Sequence, residues 1–349
     1  MADGTSRPAV SRRREIGGAS ARSLLMTILG EFVLPRPGPV WTQTLVSALA
    51  LFGIEHKSAR QALARTAAEG WLASERVSRQ VRWSLTTPGQ RLLSQGAQRI
   101  YSFGRDEVEW DGRWLMLLVS VPDSQRDLRH RVRSQLNWAG FGSPAPGVWV
   151  SPHASQQAEA QRILATAGVD GSAMSFVASY GQIGGQEELV ARSWDLGALE
   201  NRYEDFIEEF TGLDPATGET ALQAQIRLVH EWRRFPFLDP RLPARLLPRN
   251  WSGAKAAGLF HTRHADWHPA AQRHWEHLTG EAAARLRRAV QPGPVDLQLV
   301  QERPGRLVRV LDQRPGLTEV QRRDPHRLRP VQVHHRNVRG HQRRLQDRL

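Results

Sequence analysis

Apolar residues in the first part of the chain recur at three- and four-residue intervals, as they do along one face of a helix. A first helix is predicted from Ser23 to the prolines at 35 and 37, and its apolar positions are Leu24, Leu25, Ile28, Leu29 and Phe32. A second helix runs from Thr42 to Gly53 and a third from about Lys57 to Glu69. Residues 81–86 then alternate like a strand, and Pro88 opens another helix. Three short helices followed by a two-stranded ribbon predict a winged helix-turn-helix over residues 22–103.

The third helix has two unlike sides. Ala59, Leu63 and Thr66 cluster on one side of a helical wheel, and polar or cationic residues lie on the other. A helix that reads DNA needs this division, because its apolar side rests on the domain while its polar side enters the major groove. The candidate DNA-binding residues are Lys57, Arg60, Gln61 and Arg65 on this helix, and Arg76, Arg79 and Arg82 in or beside the turn of the ribbon.

The types of these side chains indicate their roles. We expect Gln61 and Arg65 to contact base edges, because arginine pairs bidentately with guanine and glutamine with adenine. Lys57 and Arg60 would contact the groove or phosphates, and the ribbon arginines would hold phosphates. The same pattern is also typical of a solvated helix face beside an ordinary hairpin, or of a winged helix that binds only proteins.

The second segment, residues 104–186, alternates strands and helices. Leu115 to Val121 is an apolar run of strand length, and the helix after it carries Leu128, Val132 and Leu136. A strand at 148–150, a helix over 155–167 and a strand at 174–180 follow. This order predicts a small ferredoxin-like α+β domain.

Residues 187–280 are predicted to be helical. Trp194 to Phe210 is amphipathic, a second helix runs from Thr220 to Trp232, and a third begins near Ser252. The two ends of the chain lack a sustained apolar period, so residues 1–21 are predicted to be a disordered leader and 281–349 a separate basic tail. The whole chain is therefore predicted to be a multidomain α+β protein.

Charge distinguishes the tail from the rest of the chain. The 349 residues carry 48 basic and 35 acidic side chains, a net charge of +13, and no cysteine, which excludes disulfides and thiolate metal sites. The tail holds 16 Arg against 7 acidic residues and lacks Phe, Trp and Tyr, whereas residues 23–280 have a net charge of only +1. The tail is either a disordered arm that binds nucleic acid or the product of a frameshift in a GC-rich gene, as 46 Arg against two Lys indicate.

No stretch is typical of a membrane anchor or of a cleavable export signal. The longest apolar run, Leu24 to Leu34, is interrupted by Gly30 and Glu31 and is too short to span a bilayer. The basic residues before it are not followed by a small-residue cleavage site. We therefore expect a cytoplasmic protein.

Short motifs in three parts of the chain occur in the order found in one family. They are Leu24 through Phe32, Val40-Trp41, Arg60 through Arg65 and Gly70-Trp71-Leu72; Trp110 through Trp114 and Gly147 through Pro152; and Trp232 through Pro236, Asp239 through Pro243, Leu247-Pro248 and Trp251-Ser252-Gly253. In these motifs, spread over residues 22–280, the chain resembles the PaaX-type transcriptional repressors of phenylacetic acid degradation. It departs from the family pattern at Thr66, Trp83 and Ser252, and the first two lie close enough to the recognition elements that no operator sequence carries over.

The resemblance implies an N-terminal winged helix, a central ferredoxin-like domain similar to the CRISPR-associated adaptation nucleases, and a helical C-terminal effector domain. It also implies a homodimer that binds double-stranded operator DNA and represses an aromatic-acid catabolic operon. Phenylacetyl-coenzyme A, or a related acyl-CoA effector, would release the repressor. Neither a cofactor nor catalysis is expected.

The helical segment offers candidate effector-binding residues, which are Trp232, Arg233, Arg234, Trp251 and Lys255. Arginine and lysine suit the phosphates of coenzyme A, and tryptophan suits an aromatic acyl group or adenine. The alternative interpretation is that both tryptophans are core anchors beside proline-rich bends, and that the arginines are held in ion pairs.

A cluster of histidines is a candidate metal site. Five histidines lie within 17 residues: His261, His264, His268, His274 and His277. Pro269 is expected to break their helix, and Asp266 and Glu276 are the only carboxylates near them in sequence, so no metal site is predicted.

A nuclease of the CRISPR-associated type is a second hypothesis. Such chemistry usually needs several convergent carboxylates, and Asp123 is the one candidate, although it can equally cap the following helix. Nuclease activity, and non-catalytic nucleic-acid binding through the Arg-rich tail, are the alternatives to operator binding.

Overall fold

The computed structural model describes residues 20–36, 38–105, 109–122 and 124–290, with the backbone alone for 285–290. The predicted leader lies outside these ranges up to residue 19, and so does the predicted tail from residue 291 onward. Within the described ranges, helices and antiparallel strands follow one another in three groups. No helix in these ranges combines the length and the apolar character that crossing a membrane requires.

The first group contains four helices and a three-stranded sheet. In chain order these are α1 (Ala21–Ile28), a π-helical turn (Leu29–Val33), β1 (Val40–Trp41), α2 (Thr42–Ala50), α3 (His56–Ala68), β2 (Leu72–Val77), β3 (Gln80–Leu85) and α4 (Thr87–Ser102). The strands are antiparallel in the order β1-β3-β2. α1 begins two residues before the predicted start, because the Ser20 hydroxyl accepts the Ser23 amide and caps the helix at Ala21.

The second group is a four-stranded antiparallel sheet with two helices. It consists of β4 (Arg113–Val119), α5 (Arg126–Trp138), β5 (Gly142–Ala145), β6 (Val148–Ser151), α6 (Gln157–Ala167) and β7 (Ala173–Ser179). The sheet order is β5-β6-β4-β7, and the succession βαββαβ is that of the ferredoxin-like motif. Val132, Leu136 and Ile163 of the helices pack on Leu115 and Leu117 of β4. The sequence does not predict β5, because its glycine- and proline-containing residues have little strand propensity and are held by pairing with β6.

The third group is helical. It consists of α7 (Gln186–Ser193), α8 (Leu196–Thr211), α9 (Gly218–Trp232), the short α10 (Phe235–Leu238) and the long α11 (Gly253–Val290). The helix predicted to begin at Trp194 begins at Leu196 instead. Trp194 has an extended backbone, and the Asp195 carboxylate accepts the Ala198 amide at 2.9 Å, which starts α8 there.

The prediction that Pro269 breaks the last helix is wrong. α11 runs through Pro269 without interruption and continues to Val290, beyond the predicted start of the tail at 281. A proline inside a helix removes one backbone hydrogen bond and costs roughly 3 kcal/mol. Trp267, Ala271 and Trp275 are buried on either side of the proline, so packing against the neighbouring helices offsets that cost.

The first and third groups share one hydrophobic core. Leu222 and Ile226 of α9 and Ala271 and Trp275 of α11 belong to the same buried cluster as the apolar residues of α1, α2 and α3. Phe32 of the π-helical turn stacks on Trp275, with 5.2 Å between ring centroids. The N-terminal helices therefore do not close their core by themselves, and α9 and α11 complete it.

Candidate nucleic-acid interface

α3 buries one side and exposes the other. The buried side packs into the shared core and consists of Ala59, Ala62, Leu63 and Thr66. The exposed side carries the four candidate DNA-binding residues of this helix, Lys57, Arg60, Gln61 and Arg65. No acidic residue occurs in α3 between Glu55 and Glu69, so its exposed side is cationic along its length. This is the division of surfaces that the sequence predicts for the helix.

The end of α3 is anchored to the rest of the first group. Gly70 has φ 81, a left-handed backbone conformation that favours glycine and turns the chain out of the helix. The buried Trp71 follows, and its amide donates to the Thr66 carbonyl at 3.2 Å. The Arg22 guanidinium of α1 lies 5.1 Å from the centre of the Trp71 ring and also pairs with Glu69. These contacts fix the direction in which the exposed side of α3 faces.

The ribbon of β2 and β3 carries the other three candidate residues, Arg76, Arg79 and Arg82. Arg79 lies in the turn between the strands and is exposed, directly after Ser78, whose φ is 56. Arg76 is exposed on β2. Arg82 lies opposite Glu75, and its Nε and Nη2 both donate to the carboxylate at 2.9 Å. A phosphate would have to compete with Glu75 for Arg82, whereas Arg79 projects from the tip of the ribbon.

One side chain ties the ribbon to α2. The indole nitrogen of Trp83 donates to the Thr42 hydroxyl at 2.8 Å, and this hydroxyl donates to the Val81 carbonyl at 2.9 Å. These contacts hold the ribbon against the helices, so the position of Arg79 relative to the exposed side of α3 is fixed.

Two of the candidate effector-binding residues belong to an aromatic core. Trp232 is fully buried, and its indole nitrogen donates to the Ile100 carbonyl at 3.2 Å. A series of contacting rings connects it to the half-buried Trp251. The centroid distances are 5.2 Å for the tilted pair Trp232–Phe235, 4.3 Å for the stacked pair Phe235–Tyr203 and 5.6 Å for the edge-on pair Tyr203–Trp251. Trp232 thus has the surroundings that the core-anchor alternative describes, and the partly exposed Trp251 lies at the other end of this series of rings.

The three cationic candidates lie in different surroundings. Arg233 is half-buried, burial lowers its pKa, and its Nη2 donates to the Ser23 hydroxyl of α1 at 2.6 Å. Arg234 is exposed and pairs with Glu231 at 3.2 Å. Lys255 is exposed in the first turn of α11. Only Arg233 contacts the N-terminal group among these three in the described structure.

A small pocket opens beside Arg234, between α8 and α10. Its volume is about 140 Å³, and its wall includes Phe206, Phe235, Leu238 and the cation Arg202 together with three carboxylates. Sites for drug-sized ligands usually have volumes of roughly 300–1,000 Å³. The pocket therefore has room for one aromatic ring but not for a coenzyme A moiety.

α1 and α9 meet through a polar contact as well as through the shared core. The Thr27 hydroxyl lies 3.1 Å from Nδ1 of the buried His230. Burial, helped by the nearby charges of Arg233 and Arg234, lowers the pKa of His230 from 6.5 to about 4. The imidazole is therefore neutral at pH 7. The C-terminal turn of α9 thus contacts α1 directly through both His230 and Arg233.

The five clustered histidines lie in different surroundings. Nε2 of His261 lies 3.3 Å from the Phe103 carbonyl. The continuous α11 places His264 and His268 on one side, where both face Glu31 of the π-helical turn. The other two, His274 and His277, line a surface pocket with Thr217 and Gly218 at the start of α9.

Glu31 is the site residue that the sequence analysis missed. It is buried, with 4% of its surface exposed. Burial alone would raise the pKa of Glu31, but hydrogen bonds from His264, His268 and Tyr101 outweigh burial and hold that pKa well below its usual range. The sequence shows only that a carboxylate interrupts an apolar helix, and it does not indicate which residues contact that carboxylate.

Two of the competing hypotheses depend on residues outside the described ranges. Asp123, the candidate carboxylate for a nuclease, lies in one of the gaps, and the basic tail from residue 291 onward is not described.

Three family models match consecutive parts of the chain. Residues 20–89 match the model described as PaaX-like protein, residues 107–190 the PaaX protein central Cas2-like domain, and residues 194–277 the PaaX-like protein C-terminal domain. The transcriptional repressor PaaX of Escherichia coli (strain K12) is 34% identical over 251 residues, which cover 69% of this chain and 78% of the relative. The fold is also similar to the solved structure of the uncharacterized protein Rv0674 from Mycobacterium tuberculosis, with a TM-score of 0.51 and 21% identity over 74% of this chain and 100% of that chain.

Proposed function

Because the chain belongs to the PaaX family of transcriptional repressors, we propose that it binds operator DNA through its N-terminal group, acting as a winged helix-turn-helix. The regulated genes would form an aromatic-acid catabolic operon, and the protein would have no catalytic role. The observation that carries the proposal is the division of α3 into a buried apolar side and an exposed side with three cations, one glutamine and no carboxylate.

The exposed side of α3 has the chemistry of a recognition helix. Arg65 and Gln61 lie four residues apart, so they project from neighbouring turns on one side of the helix. Arginine to guanine and glutamine to adenine are the favoured bidentate base contacts, each worth about 1–3 kcal/mol of discrimination. Lys57 and Arg60 would contact the groove or the phosphates that flank these bases.

The ribbon would contribute phosphate contacts. Arg79 at its tip and Arg76 beside it are exposed, whereas Arg82 is paired with Glu75. Phosphate contacts fix the register of a protein on DNA and carry no sequence information themselves. We therefore assign Arg79 the dominant contact of the ribbon and Arg82 a smaller one.

Two alanine variants separate these roles in fluorescence anisotropy titrations on a footprinted fragment and on random DNA. Arg65→Ala should weaken operator binding by roughly 5- to 150-fold, with little effect on random DNA. Arg79→Ala should weaken both similarly and reduce the slope of log affinity against log salt by about one. Arg162→Ala, an exposed arginine on α6 that pairs with Glu159, is the matched control and should bind as wild type does.

Two outcomes would contradict this assignment. An Arg65→Ala protein with wild-type operator affinity would exclude α3 as the reading helix. A mobility shift that full-length protein gives and that disappears on deletion of 291–349 would favour binding through the basic tail instead.

We also propose that an aryl-acyl-CoA releases the operator. The aryl group would enter the pocket beside Arg234. The exposed Arg234 and Lys255, and the partly exposed Trp251, would hold the remainder of the ligand. Movement of the end of α9 would then break the contact of Arg233 with Ser23 of α1. A ligand can do this only to the extent that it binds the released conformation more tightly.

The effector proposal is tested by titrating phenylacetyl-CoA, acetyl-CoA and free coenzyme A into the protein–operator complex. Phenylacetyl-CoA should release the DNA at the lowest concentration. Arg234→Ala should need about tenfold more ligand, because it removes a charge-assisted contact, while its operator affinity without ligand stays at the wild-type value. Arg192→Ala, on the surface of α7, is the control. Equal release by free coenzyme A, or by all variants alike, would contradict the assignment of the pocket.

The edge of the central sheet supports a homodimer. β7 pairs only with β4 in the described structure, and its outer positions expose Met174, Phe176 and Val177 at 59%, 48% and 42%. Exposed apolar edge strands promote association, and proteins normally cover them. We propose that two copies meet at β7 about a two-fold axis, which would place two α3 helices on half-sites of a pseudo-palindrome.

Sedimentation velocity tests the dimer. Phe176→Glu should shift the protein to a monomer and weaken operator binding. Ile183→Glu, at a side chain 95% exposed beyond the strand, should leave the dimer intact. A Phe176→Glu protein that sediments as the wild type does would exclude β7 as the interface.

A further inference from the structure

One buried carboxylate is contacted by polar side chains from three other elements. Glu31 lies in the π-helical turn after α1, and π-helical turns are often found at functional sites. His264 Nε2 lies 2.9 Å from Glu31 Oε1, His268 Nδ1 lies 3.4 Å from it, and the Gln225 amide nitrogen donates to it at 2.8 Å. The Tyr101 hydroxyl of α4 donates to Oε2. We call these five residues the Glu31 cluster.

The charge of Glu31 has no permanent counterion. Neither an arginine nor a lysine pairs with it in the described part of the chain; its ionic partners there are His264 and His268. A buried carboxylate needs a positive partner, because burial strongly disfavours an isolated charge. The cluster can meet this need with a proton on an imidazole or with a bound cation.

Two acceptor atoms of the cluster favour the cation. Gln225 Oε1 is buried without a hydrogen-bond partner in the described structure, and the buried His268 Nδ1 has only its long, 3.4 Å contact with Glu31 Oε1 there. Buried polar atoms are nearly always satisfied, so one atom without a partner and one with only a long contact, both beside the same carboxylate, need an explanation. A half-turn of the Gln225 amide would exchange its nitrogen and oxygen and bring the oxygen to Glu31, which is favourable only when a cation lies between them.

The spacing suits a transition metal. His264 and His268 lie one helical turn apart on α11, so their rings project from the same side. With metal–ligand bonds of about 2.0–2.1 Å, tetrahedral ligand atoms lie about 3.3 Å apart. The 3.4 Å contact from Glu31 Oε1 to His268 Nδ1 is close to this value, and the 2.9 Å hydrogen bond to His264 Nε2 would have to lengthen slightly around an ion. One ligand atom from each of the three residues lies within 4.8 Å of the others.

We propose that Glu31, His264 and His268 bind one divalent transition-metal ion of the Zn²⁺ type. Two imidazoles and a carboxylate are a donor set that zinc accepts, and the Gln225 oxygen or water would provide the fourth ligand. Tyr101 would hold the carboxylate in its ligating orientation, as outer hydrogen bonds do at metal sites. The ion would join the turn after α1 to α11, at the junction where the N-terminal helices depend on the C-terminal ones.

Cobalt binding by the full-length protein tests the site. The protein is treated with a chelator, dialysed and titrated with Co²⁺, whose visible d–d bands report coordination by nitrogen and oxygen. We expect tight binding of one ion per chain, displacement by Zn²⁺, and a rise in Tm on metal addition. His264→Gln and His268→Gln should each weaken the d–d signal and the affinity by at least about tenfold. These histidines have 24% and 41% side-chain exposure, so both variants should fold, which circular dichroism checks.

His277→Gln is the matched control. His277 lies on the same helix, and its Nε2 is 3.1 Å from the Glu281 carboxylate, so it resembles a member of the site without belonging to it. This variant should keep the full cobalt signal and the Tm rise. The histidines of the tail are common to all variants and contribute the same background to each. Absence of d–d bands in the wild type, an unchanged signal in His264→Gln and His268→Gln, or loss of the signal in His277→Gln would each overturn the proposal.

Discussion

The neutral imidazole of His230 should make the junction of α1 and α9 sensitive to acid. Its pKa is about 4 in the folded protein and 6.5 in the unfolded chain. The unfolded state therefore binds more protons between these values, so the free energy of unfolding is fully maintained above pH 6.5 and falls as the pH is lowered towards 4. From these two pKa values, His230 alone should lower the free energy of unfolding by about 2 kcal/mol between pH 7 and pH 5, and by about 3 kcal/mol at pH 4.

The variant that tests this is His230→Gln. Glutamine can still hydrogen bond to Thr27 but does not titrate, so the variant should lose about 2 kcal/mol less than the wild type on going from pH 7 to pH 5. Urea unfolding followed by tryptophan fluorescence at the two pH values measures the difference. His130→Gln, at an exposed position on α5, controls for the general removal of a histidine and should follow the wild type.

Direct titration of the His230 imidazole tests its pKa independently of stability. In a ¹³C-edited NMR titration of histidine-labelled protein, the resonance missing from His230→Gln identifies His230. A midpoint at or above pH 6.5 for that resonance, or an equal loss of stability in variant and wild type, would show that the imidazole is not held neutral by its burial against α1.

Further changes in the N-terminal group should alter stability in opposite directions. Gly89→Ala should lower Tm, because the added Cβ would clash with the Trp71 carbonyl at a cost on the order of 1–3 kcal/mol. Gly96→Ala, in the same helix, places its Cβ in open space and should raise the free energy of unfolding by about 0.5–1 kcal/mol. Equal shifts in the two thermal melts would contradict this. Trp83→Phe removes the donor to the Thr42 hydroxyl and should lower the free energy of unfolding in urea by about 1 kcal/mol. In a Thr42→Val background, where this hydrogen bond is already absent, the same substitution should have a smaller effect.

Local patterns account for what the sequence predicts well. The period of Ala59, Leu63 and Thr66 identifies the buried side of α3, because the side that an amphipathic helix buries depends mainly on its own apolar spacing. The same reasoning fails at Pro269, where local propensity predicts a break and tertiary packing of α11 prevents it. It also misses β5, whose strand conformation depends on a partner strand.

Glu31 marks the limit of sequence reasoning at the candidate sites. A carboxylate on the apolar side of a helix must find polar partners if that side is buried, but the sequence identifies Glu31 only as an interruption of an apolar run. It cannot identify them, because His264 is 233 positions away and the π-helical turn changes which residues face inward. His264 and His268 both precede Pro269, so the wrongly predicted break did not separate them, and what the sequence failed to indicate was the distant carboxylate that they face.

The shared core leads to a last prediction, about the N-terminal group alone. A fragment of residues 20–105 would lose Leu222, Ile226, Ala271 and Trp275 from its core and would expose the apolar surface that they cover. It would also leave Glu31 buried without either histidine, or force it into water. Such a fragment should show helical circular dichroism without a cooperative thermal transition and with poorly dispersed amide NMR signals. A fragment of residues 20–105 with a cooperative transition and dispersed signals would refute the dependence on α9 and α11. The reason for the dependence is physical. The N-terminal group shares its core with α9 and α11, so a movement of these two helices changes the packing inside the group as well as its position.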